Sequence, residues 1–216
     1  MWVDARQGVA FLQKPFTPAA LASSYHKAVK VAILLVLLCL PALADLAAGR
    51  QALKNGDYPT ALKEFLPLAK QGDASAQLLL GLMYHDGQGV PQDYREAVRW
   101  YRLAAGQGDE KGQAHLGLKY DKGEGVPQDY KEAAKWYRLA AEQGDRSAEL
   151  ILGLMYENGK GMPQDYIQAH MWFNLAGAAG DGDGIKGRDE VASKMTPGQI
   201  AEAQRLAREW KPKARP

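Results

Sequence analysis

Apolar and polar positions along the chain alternate with the spacing of paired helices. Across Ala74–Asp86 the apolar residues fall three and four positions apart, which indicates an amphipathic helix. The glycines and the proline of Gly87–Gln92 then interrupt the pattern, because neither residue continues a helix well. A second stripe pairs large aromatic residues with small ones at Ala97, Trp100, Tyr101, Ala104 and Ala105. The pattern predicts two helices joined by a short loop.

This two-helix pattern recurs with a period of 36 residues. Residues 73–108 and 109–144 are identical at 23 of 36 positions, and residues 145–180 keep the same skeleton. A shorter copy begins near Asp57. A fixed period of this length is the signature of a repeat array. We therefore predict an all-α solenoid of about four helix-turn-helix repeats over residues 45–180.

Recurring aspartates precede the predicted second helices. Asp93 is expected to cap its helix, and Glu96 three residues later completes the pattern of a capping box. Asp129 with Glu132 repeats this arrangement, and so does Asp165 with Gln168. The repeated Asp, Tyr and Trp residues are therefore predicted to be caps and core, because catalytic groups seldom recur in every unit of an array.

Beyond the repeats, residues 181–195 are predicted to form a glycine-rich connector and a short helix. Residues 196–216 are predicted to form a capping helix and a tail. Thr196, Pro197 and Gln199 fit the start of this helix. Leu206 and Trp210 lie on one of its faces and could cover the open end of the last repeat, which a solenoid requires.

The segment before the repeats has the pattern of a signal peptide. Residues 23–30 are polar and basic, and the 14 residues Val31–Ala44 are apolar and end in a small-x-small motif. A membrane-spanning helix needs ~20 apolar residues. We expect cleavage after Ala44 and a periplasmic or secreted protein, with an N-terminal membrane anchor as the alternative. Residues 1–22, with Lys14-Pro15-Phe16, resemble the end of a receiver domain and are interpreted as a remnant or a mis-called start.

Composition narrows the possible functions. The chain has 27 Lys and Arg residues against 25 Asp and Glu residues, and no basic block stands out, so nucleic acid is not expected as a partner. Cys39 is the single cysteine, and it lies within the apolar segment. After cleavage the protein would contain no disulfide, and its core alone must hold the fold.

Motifs that could carry chemistry find no supporting context. The segment Gly182–Gly187 fits G-x-G-x-x-G, but no predicted strand precedes it. Its aspartates suggest a calcium loop, yet Ile185 and Lys186 occupy positions where such a loop needs a ligand and a glycine. The histidines lack the spacing of metal ligands. We expect no catalytic residue, metal or cofactor, and hence no enzyme.

The motif of Ala76–Gly108, A-x-x-x-L-G-x-x-Y-x-x-G-x-G-V-P-x-D-Y-x-x-A-x-x-W-Y-x-x-A-A-x-x-G, closely resembles the Sel1-like repeat, a relative of the tetratricopeptide repeat. This resemblance covers roughly residues 45–180. It implies a right-handed α-solenoid that binds other proteins or peptides, such as a bacterial envelope regulator. Some cysteine-rich relatives are assigned penicillin binding or β-lactamase activity, but this chain lacks their paired cysteines.

The resemblance also implies a binding face on the first helix of each repeat, which lines the concave side in tetratricopeptide arrays. Candidate groove residues are an apolar ladder with a 36-residue spacing and the polar positions beside it: Leu82, Leu118, Leu154, His85, Asp86, Asp121, Lys122 and Glu157. The ladder suits a segment with spaced apolar anchors, although the leucines could instead pack between repeats. The expected function is a scaffold or adaptor for a protein or peptide. The alternatives are a hydrolase of cell-wall material or β-lactams, and a passive structural envelope protein.

Overall fold

A computed structural model describes residues 46–178 and 180–213 of the chain, all within one compact unit, Asp45–Pro216. The described residues contain helices and no strand. The helices are α1 (residues 46–54), α2 (Tyr58–Lys70), α3 (Ala74–Asp86), α4 (Tyr94–Gly106), α5 (Glu110–Lys122), α6 (Tyr130–Glu142), α7 (Arg146–Asn158), α8 (Tyr166–Ala178), α9 (Gly182–Ala192) and α10 (Pro197–Glu209). The predicted signal peptide and its cleavage site lie outside the described residues.

From α2 to α9, helices adjacent in sequence are adjacent in space, whereas α10 packs against α8. The pairs α3/α4, α5/α6, α7/α8 and α8/α9 pack most extensively, and the repeats are joined through α4 with α5 and α6 with α7. Such local packing is typical of an array in which each repeat contacts its neighbours. The prediction of an all-α repeat fold is confirmed. Within the described part of the chain, no helix is long and apolar enough to cross a bilayer.

Aspartate side chains start the repeat helices, as predicted. Asp93 accepts hydrogen bonds from the amides of Arg95 and Glu96 at 2.8 and 3.1 Å. The predicted capping box is absent there, because the Glu96 side chain instead pairs with Arg99 at 3.3 Å. A cation one turn away competes with the backbone amide for the carboxylate. A capping box does form between Thr196 and Gln199 at the start of α10.

The two helices of a repeat approach each other where a glycine faces an aromatic ring. A Cβ atom on Gly81 would lie 2.5 Å from ring carbons of Tyr101, and one on Gly153 would lie 2.5 Å from Phe173. The aromatic side chains are almost completely buried. Since a protein interior is close-packed, the missing side chain of each glycine sets the distance between the helices.

The segment predicted as a connector and short helix contains the 11-residue helix α9. Its glycines allow close packing: a Cβ atom on Gly187 would lie 2.9 Å from the ring of Phe173. Asp181 caps α9 through the amides of Asp183 and Gly184, both at 2.9 Å. The G-x-G-x-x-G match therefore forms the first turns of a helix instead of a phosphate-binding loop.

Helix α10 covers the outer side of α8. The Trp210 ring meets the edge of Trp172, with ring centroids 6.1 Å apart. Beyond the helix, the amide of Lys213 donates to the carbonyl of Glu142 at 2.6 Å, and its ammonium pairs with the Glu142 carboxylate at 2.6 Å. The C-terminal tail is thereby fastened to the end of α6, in keeping with a capping role.

The close approach of the helices makes a prediction for two glycines of the same repeat. Gly81→Ala should lower the free energy of unfolding by ~1–3 kcal/mol, because the new methyl group overpacks against Tyr101. Gly106→Ala should raise it by up to ~1 kcal/mol, because Gly106 ends α4 with no atom near its Cβ position and alanine favours helix. Urea denaturation followed by circular dichroism measures both. Equal effects of the two substitutions would contradict the packing described here.

Candidate functional site

The three predicted leucines lie on the first helices α3, α5 and α7, but their environments differ. We call the side of the array that these helices present the first-helix face. Leu82 and Leu118 are partly buried and pack against core clusters that include residues of their own and of the following repeat. Leu154 is 45% exposed. The ladder thus combines both possibilities left open by the sequence, since two leucines pack inward while one remains available to a partner.

The polar candidates beside the leucines are largely engaged with other side chains. Asp121 pairs with Lys160 at 2.7 Å, and Glu157 pairs with Lys194 at 2.7 Å. His85 contacts the carboxylate of its neighbour Asp86 at 2.7 Å. Asp86 and Lys122 lie exposed at the ends of α3 and α5. Asp121 therefore contacts the following repeat, and Glu157 contacts the segment between α9 and α10.

These contacts belong to a recurring arrangement that the sequence did not predict. At the start of α4, α6 and α8 a lysine ammonium lies over a tyrosine ring, at 4.5 Å on Tyr94, 4.2 Å on Tyr130 and 5.8 Å on Tyr166. An acidic side chain neutralises each lysine. We call these three sets the inter-repeat staples: Tyr94–Lys119–Glu124, Tyr130–Lys160–Asp121 and Tyr166–Lys194–Glu157. Each lysine comes from a different position of the repeat, so a period of 36 does not reveal the set.

The first staple contains a buried charge. Lys119 is fully buried at a position where the neighbouring repeats have Met83 and Met155, and it pairs with Glu124 at 2.5 Å. Burial lowers the pKa of Lys119. The hydrogen bond that Glu124 accepts from Lys119 lowers the pKa of Glu124. The pair stays charged because each group stabilises the other. His85 lies 3.9 Å from the same carboxylate.

Removing one partner of this ion pair should lower the free energy of unfolding more than removing both partners does. Glu124→Gln leaves Lys119 buried without a counter-ion and should lower the free energy of unfolding by ~2–4 kcal/mol, near the measured range for broken buried pairs. Adding Lys119→Met restores the methionine found in the adjacent repeats and should recover that loss. Urea denaturation of the two variants measures the difference. A double variant less stable than Glu124→Gln alone would contradict this explanation.

A pocket of about 250 Å³ opens between α5 and α7 on the first-helix face. We call it the groove pocket. Its apolar lining includes Leu118 of the predicted ladder and Ile151 one repeat later, while Lys111 and Ser147 bring polar atoms to it. The complete lining is Lys111, Ala114, His115, Leu118, Tyr137, Asp145, Ser147, Ala148 and Ile151. The pocket therefore combines apolar surface with a few polar groups, as binding sites commonly do.

Tyr137 is the most deeply buried aromatic residue in the lining of the groove pocket, and it carries a hydroxyl. This residue is 1% exposed, and among the described residues its hydroxyl has no hydrogen-bond partner. Burial, assisted by the charge of Asp121, raises the pKa of Tyr137 above its ordinary value. The hydroxyl consequently stays protonated at neutral pH and offers a hydrogen-bond donor.

The same tyrosine recurs in the preceding repeat and is absent from the following one. Tyr101 is fully buried with a hydroxyl that lacks a partner in the described structure, and the ring of His115 stacks on it at 5.1 Å. Burial is the main cause that lowers the pKa of His115, so this ring is neutral at pH 7. In residues 145–180, which we count as the third full repeat, Phe173 occupies the equivalent position and carries no hydroxyl.

Chemically, the groove pocket is suited to binding. Tyr137 is a neutral donor and Lys111 a cationic one, whereas the Asp145 carboxylate is occupied by the Ala148 amide at 2.8 Å. In the described residues, no three His, Cys, Asp or Glu side chains gather as metal ligands. A ligand would therefore supply a hydrogen-bond acceptor beside an apolar group.

A larger cavity, about 570 Å³, lies on the opposite side of α6. Its charged lining consists of the exposed cations Lys131, Lys135 and Arg138 and the half-buried Glu142. The exposed Leu139 adds an apolar side chain. None of its lining residues has a buried polar atom without a partner. The groove pocket is the stronger candidate because Tyr137, whose hydroxyl has no partner in the described structure, is one of its lining residues.

Sequence reasoning assigned Tyr101 and Tyr137 to the core, and their rings do lie there. What it missed is that Tyr137 both packs its ring against Gly117 and lines the groove pocket, with a buried hydroxyl that has no partner in the described structure. The available signal was the change from tyrosine to phenylalanine at Phe173. A ring that only fills space does not need the hydroxyl.

Comparison with known proteins gives a consistent result. The family model "Sel1 repeat" matches residues 74–109, 111–145 and 146–181. A search of curated proteins found no match. The fold is similar to that of a Sel1 repeat protein from Oxalobacter formigenes, with 33% sequence identity and a TM-score of 0.65 over 71% of this chain and 62% of that one.

A second similar structure is c5321, a protective antigen present in uropathogenic Escherichia coli strains and displaying an SLR fold. It has 27% sequence identity and a TM-score of 0.56, over 78% of this chain and 45% of that one. The chain thus spans less than two thirds of the length of either structure.

Proposed function

The chain belongs to the Sel1 repeat family, and from that premise we propose that it is a non-catalytic scaffold whose first-helix face binds a segment of a partner protein. Sel1-repeat proteins generally serve as scaffolds for protein interactions. The segment would cross α5 and α7 at the groove pocket, beside Leu118. A concave array of helices offers such a surface without any catalytic group.

The observation that carries this proposal is the buried hydroxyl of Tyr137 without a partner. A buried polar group that lacks a hydrogen bond typically costs ~1–3 kcal/mol. Phenylalanine fills the same space in the third repeat without that cost. A partner that supplies an acceptor recovers the lost interaction, which supports a role for this hydroxyl in binding.

The lining indicates the kind of segment that fits. Leu118 and Ile151 favour an apolar side chain in the groove pocket, and Tyr137 and Lys111 favour a carbonyl or carboxylate oxygen next to it. The exposed Leu154 extends the apolar surface along α7. We therefore propose an extended or helical segment with an apolar anchor and an adjacent acceptor.

The predicted residues contribute to this proposal unequally. Leu118 lines the groove pocket, and Leu154, Asp86 and Lys122 are exposed beyond it. Asp121 and Glu157 are held in the inter-repeat staples, so their contribution to specificity would be to shape the face between repeats. The candidate site is thus centred on α5 and α7.

Location and mechanism outside this site remain sequence-based proposals. The apolar segment Val31–Ala44 supports a partner in the bacterial envelope, where the protein could act as a regulator. The hydrolase alternative has no group of described residues in its favour, and turnover of a chromogenic β-lactam tests it directly. Turnover that a substitution in the groove pocket abolishes would contradict the non-catalytic proposal.

Removing one oxygen atom tests the proposed site. Peptides selected from a displayed library against the full chain should bind Tyr137→Phe about 3–10-fold more weakly, because one hydrogen bond contributes ~0.5–1.5 kcal/mol. The stability of this variant should be unchanged or slightly higher, since the removed hydroxyl has no partner in the described structure. Isothermal titration calorimetry measures the affinity, and urea denaturation measures the stability.

Leu139→Lys is the matched control, because Leu139 is an exposed leucine on the outer side of α6. It should leave peptide affinity unchanged. Equal affinities for the parent protein and Tyr137→Phe would contradict the assignment of the groove pocket. Affinity lost only with Leu139→Lys would move the binding site to the outer side of the array.

A further inference from the structure

Glutamine side chains link successive repeats through a buried ladder of hydrogen bonds. Gln77 on α3 donates to the carbonyl of Ala69 at 3.0 Å and accepts from the amide of Gln107 at 2.7 Å. One repeat later, Gln113 on α5 donates to Ala105 at 3.4 Å and accepts from Gln143 at 2.8 Å. We call each such pair of glutamines, with its two hydrogen bonds, a rung. Each rung connects a first helix to the end of the preceding helix and to the end of the following helix.

The third rung of this ladder is altered at both of its side chains. Glu149 occupies the position of Gln77 and Gln113, and the sequence has alanine at position 179, where Gln143 and Gln107 stand one and two repeats earlier. Alanine carries no amide group to donate. An ionised carboxylate likewise has no hydrogen to give to the carbonyl of Ala141, the counterpart of Ala69 and Ala105.

Glu149 is nevertheless buried as deeply as the glutamines. It is 4% exposed, against 3% for Gln77 and 5% for Gln113. It borders an open cavity of about 380 Å³ to which the C-terminal tail contributes: the lining residues are Gly144, Arg146, Glu149, Leu175, Ala178, Trp210 and Pro212. Burial of the charged form is costly unless a partner compensates it.

The charges around Glu149 do not supply that partner. Arg146 is exposed to solvent on the same helix, and the carboxylate of Asp145 caps α7 and repels a second negative charge. From α6, Glu142 is paired with Lys213 of the tail at 2.6 Å. The lining residues from α8 and the tail are uncharged, and α9 contributes none. A proton is the ligand that best satisfies this carboxyl.

We propose that Glu149 forms a proton-binding site at the third rung, and that its ionisation weakens the packing of α7 against the end of α6. When protonated, the carboxyl can donate to the Ala141 carbonyl as a glutamine amide does in the earlier rungs. When ionised, it leaves a buried charge and a carbonyl without that donor. The C-terminal end of the array is thereby made sensitive to pH.

The direction of this effect follows from the buried carboxyl. Burial raises the pKa of Glu149 from 4.5 to about 7. The charge of Asp145 adds to this rise, and the charge of Arg146 opposes it. When the pKa of an acid is higher in the folded state than in the unfolded state, its contribution to stability is fully present at a pH below the unfolded-state pKa. This contribution is lost as the pH rises through the folded-state pKa. Glu149 should therefore destabilise the protein progressively between pH 4.5 and about 7.

Three forms of the full chain test the proposal by urea denaturation from pH 4.5 to 8: the parent, Glu149→Gln and Gln113→Glu. The ratio of the unfolding constants of the parent and Glu149→Gln should grow by about 100-fold across this range. The half-buried His115 and the buried His170 also titrate, but they are common to the parent and Glu149→Gln and cancel in this ratio. Gln113→Glu should add a second, smaller loss of stability as pH rises, since the amide of Gln143 can still donate to the new carboxylate.

Two further readouts locate the effect. Carbon NMR of the Glu149 carboxyl should give a titration midpoint near 7, and amide exchange in α7 should accelerate across the same pH range. A midpoint near 4.5 would overturn the proposal even if a variant failed to fold. A constant ratio of unfolding constants at all pH values, or a Glu149→Gln variant less stable at every pH, would also overturn it.

Discussion

The contact between a helix glycine and the aromatic ring of the following helix determines the geometry of each repeat. Gly81, Gly117 and Gly153 have no side chain, so the rings opposite them fill the space that a Cβ atom would need. This contact brings the two helices of a pair together and fixes where each ring ends. In residues 109–144 this ring is that of Tyr137, which also lines the groove pocket. Packing and the proposed binding site therefore depend on the same side chain.

The repeats share a backbone but differ in chemistry at a few equivalent positions. A methionine of the core becomes Lys119, a buried glutamine becomes Glu149, and a tyrosine becomes Phe173. Each change leaves the helices in place, because the surrounding glycines, alanines and aspartate caps are retained. A repeat array can thus assign different tasks to successive units without changing its fold, as its nearest-neighbour packing allows.

Much of the fold could be predicted from the sequence. The 36-residue period and the Asp93 cap depend on local spacing, which a single chain displays directly. The inter-repeat staples could not be predicted, because Lys119 and Lys160 reach equivalent rings from different positions in their repeats. The capping box expected at Asp93 failed for a related reason, since Arg99 draws Glu96 away from the backbone. Side-chain partners across a turn or between repeats are decided by three-dimensional competition.

The candidate site was predictable only in outline. Spacing placed Leu118 on the first helix, and the structure puts it in the groove pocket. The partner-free hydroxyl of Tyr137 could not be foreseen, because an aromatic residue at a core position gives no sign of where its oxygen points. The same limitation applies to Glu149, whose significance appears only beside the hydrogen bonds of Gln77 and Gln113.

The central claim is that a partner binds the first-helix face through the hydroxyl of Tyr137. A crystal structure of the full chain with a selected peptide tests it most directly. We predict an acceptor oxygen of the peptide at ~2.7–2.8 Å from the Tyr137 hydroxyl, with an apolar side chain between Leu118 and Ile151. A peptide bound on the outer side of α4 and α6, with the groove pocket empty, would contradict it.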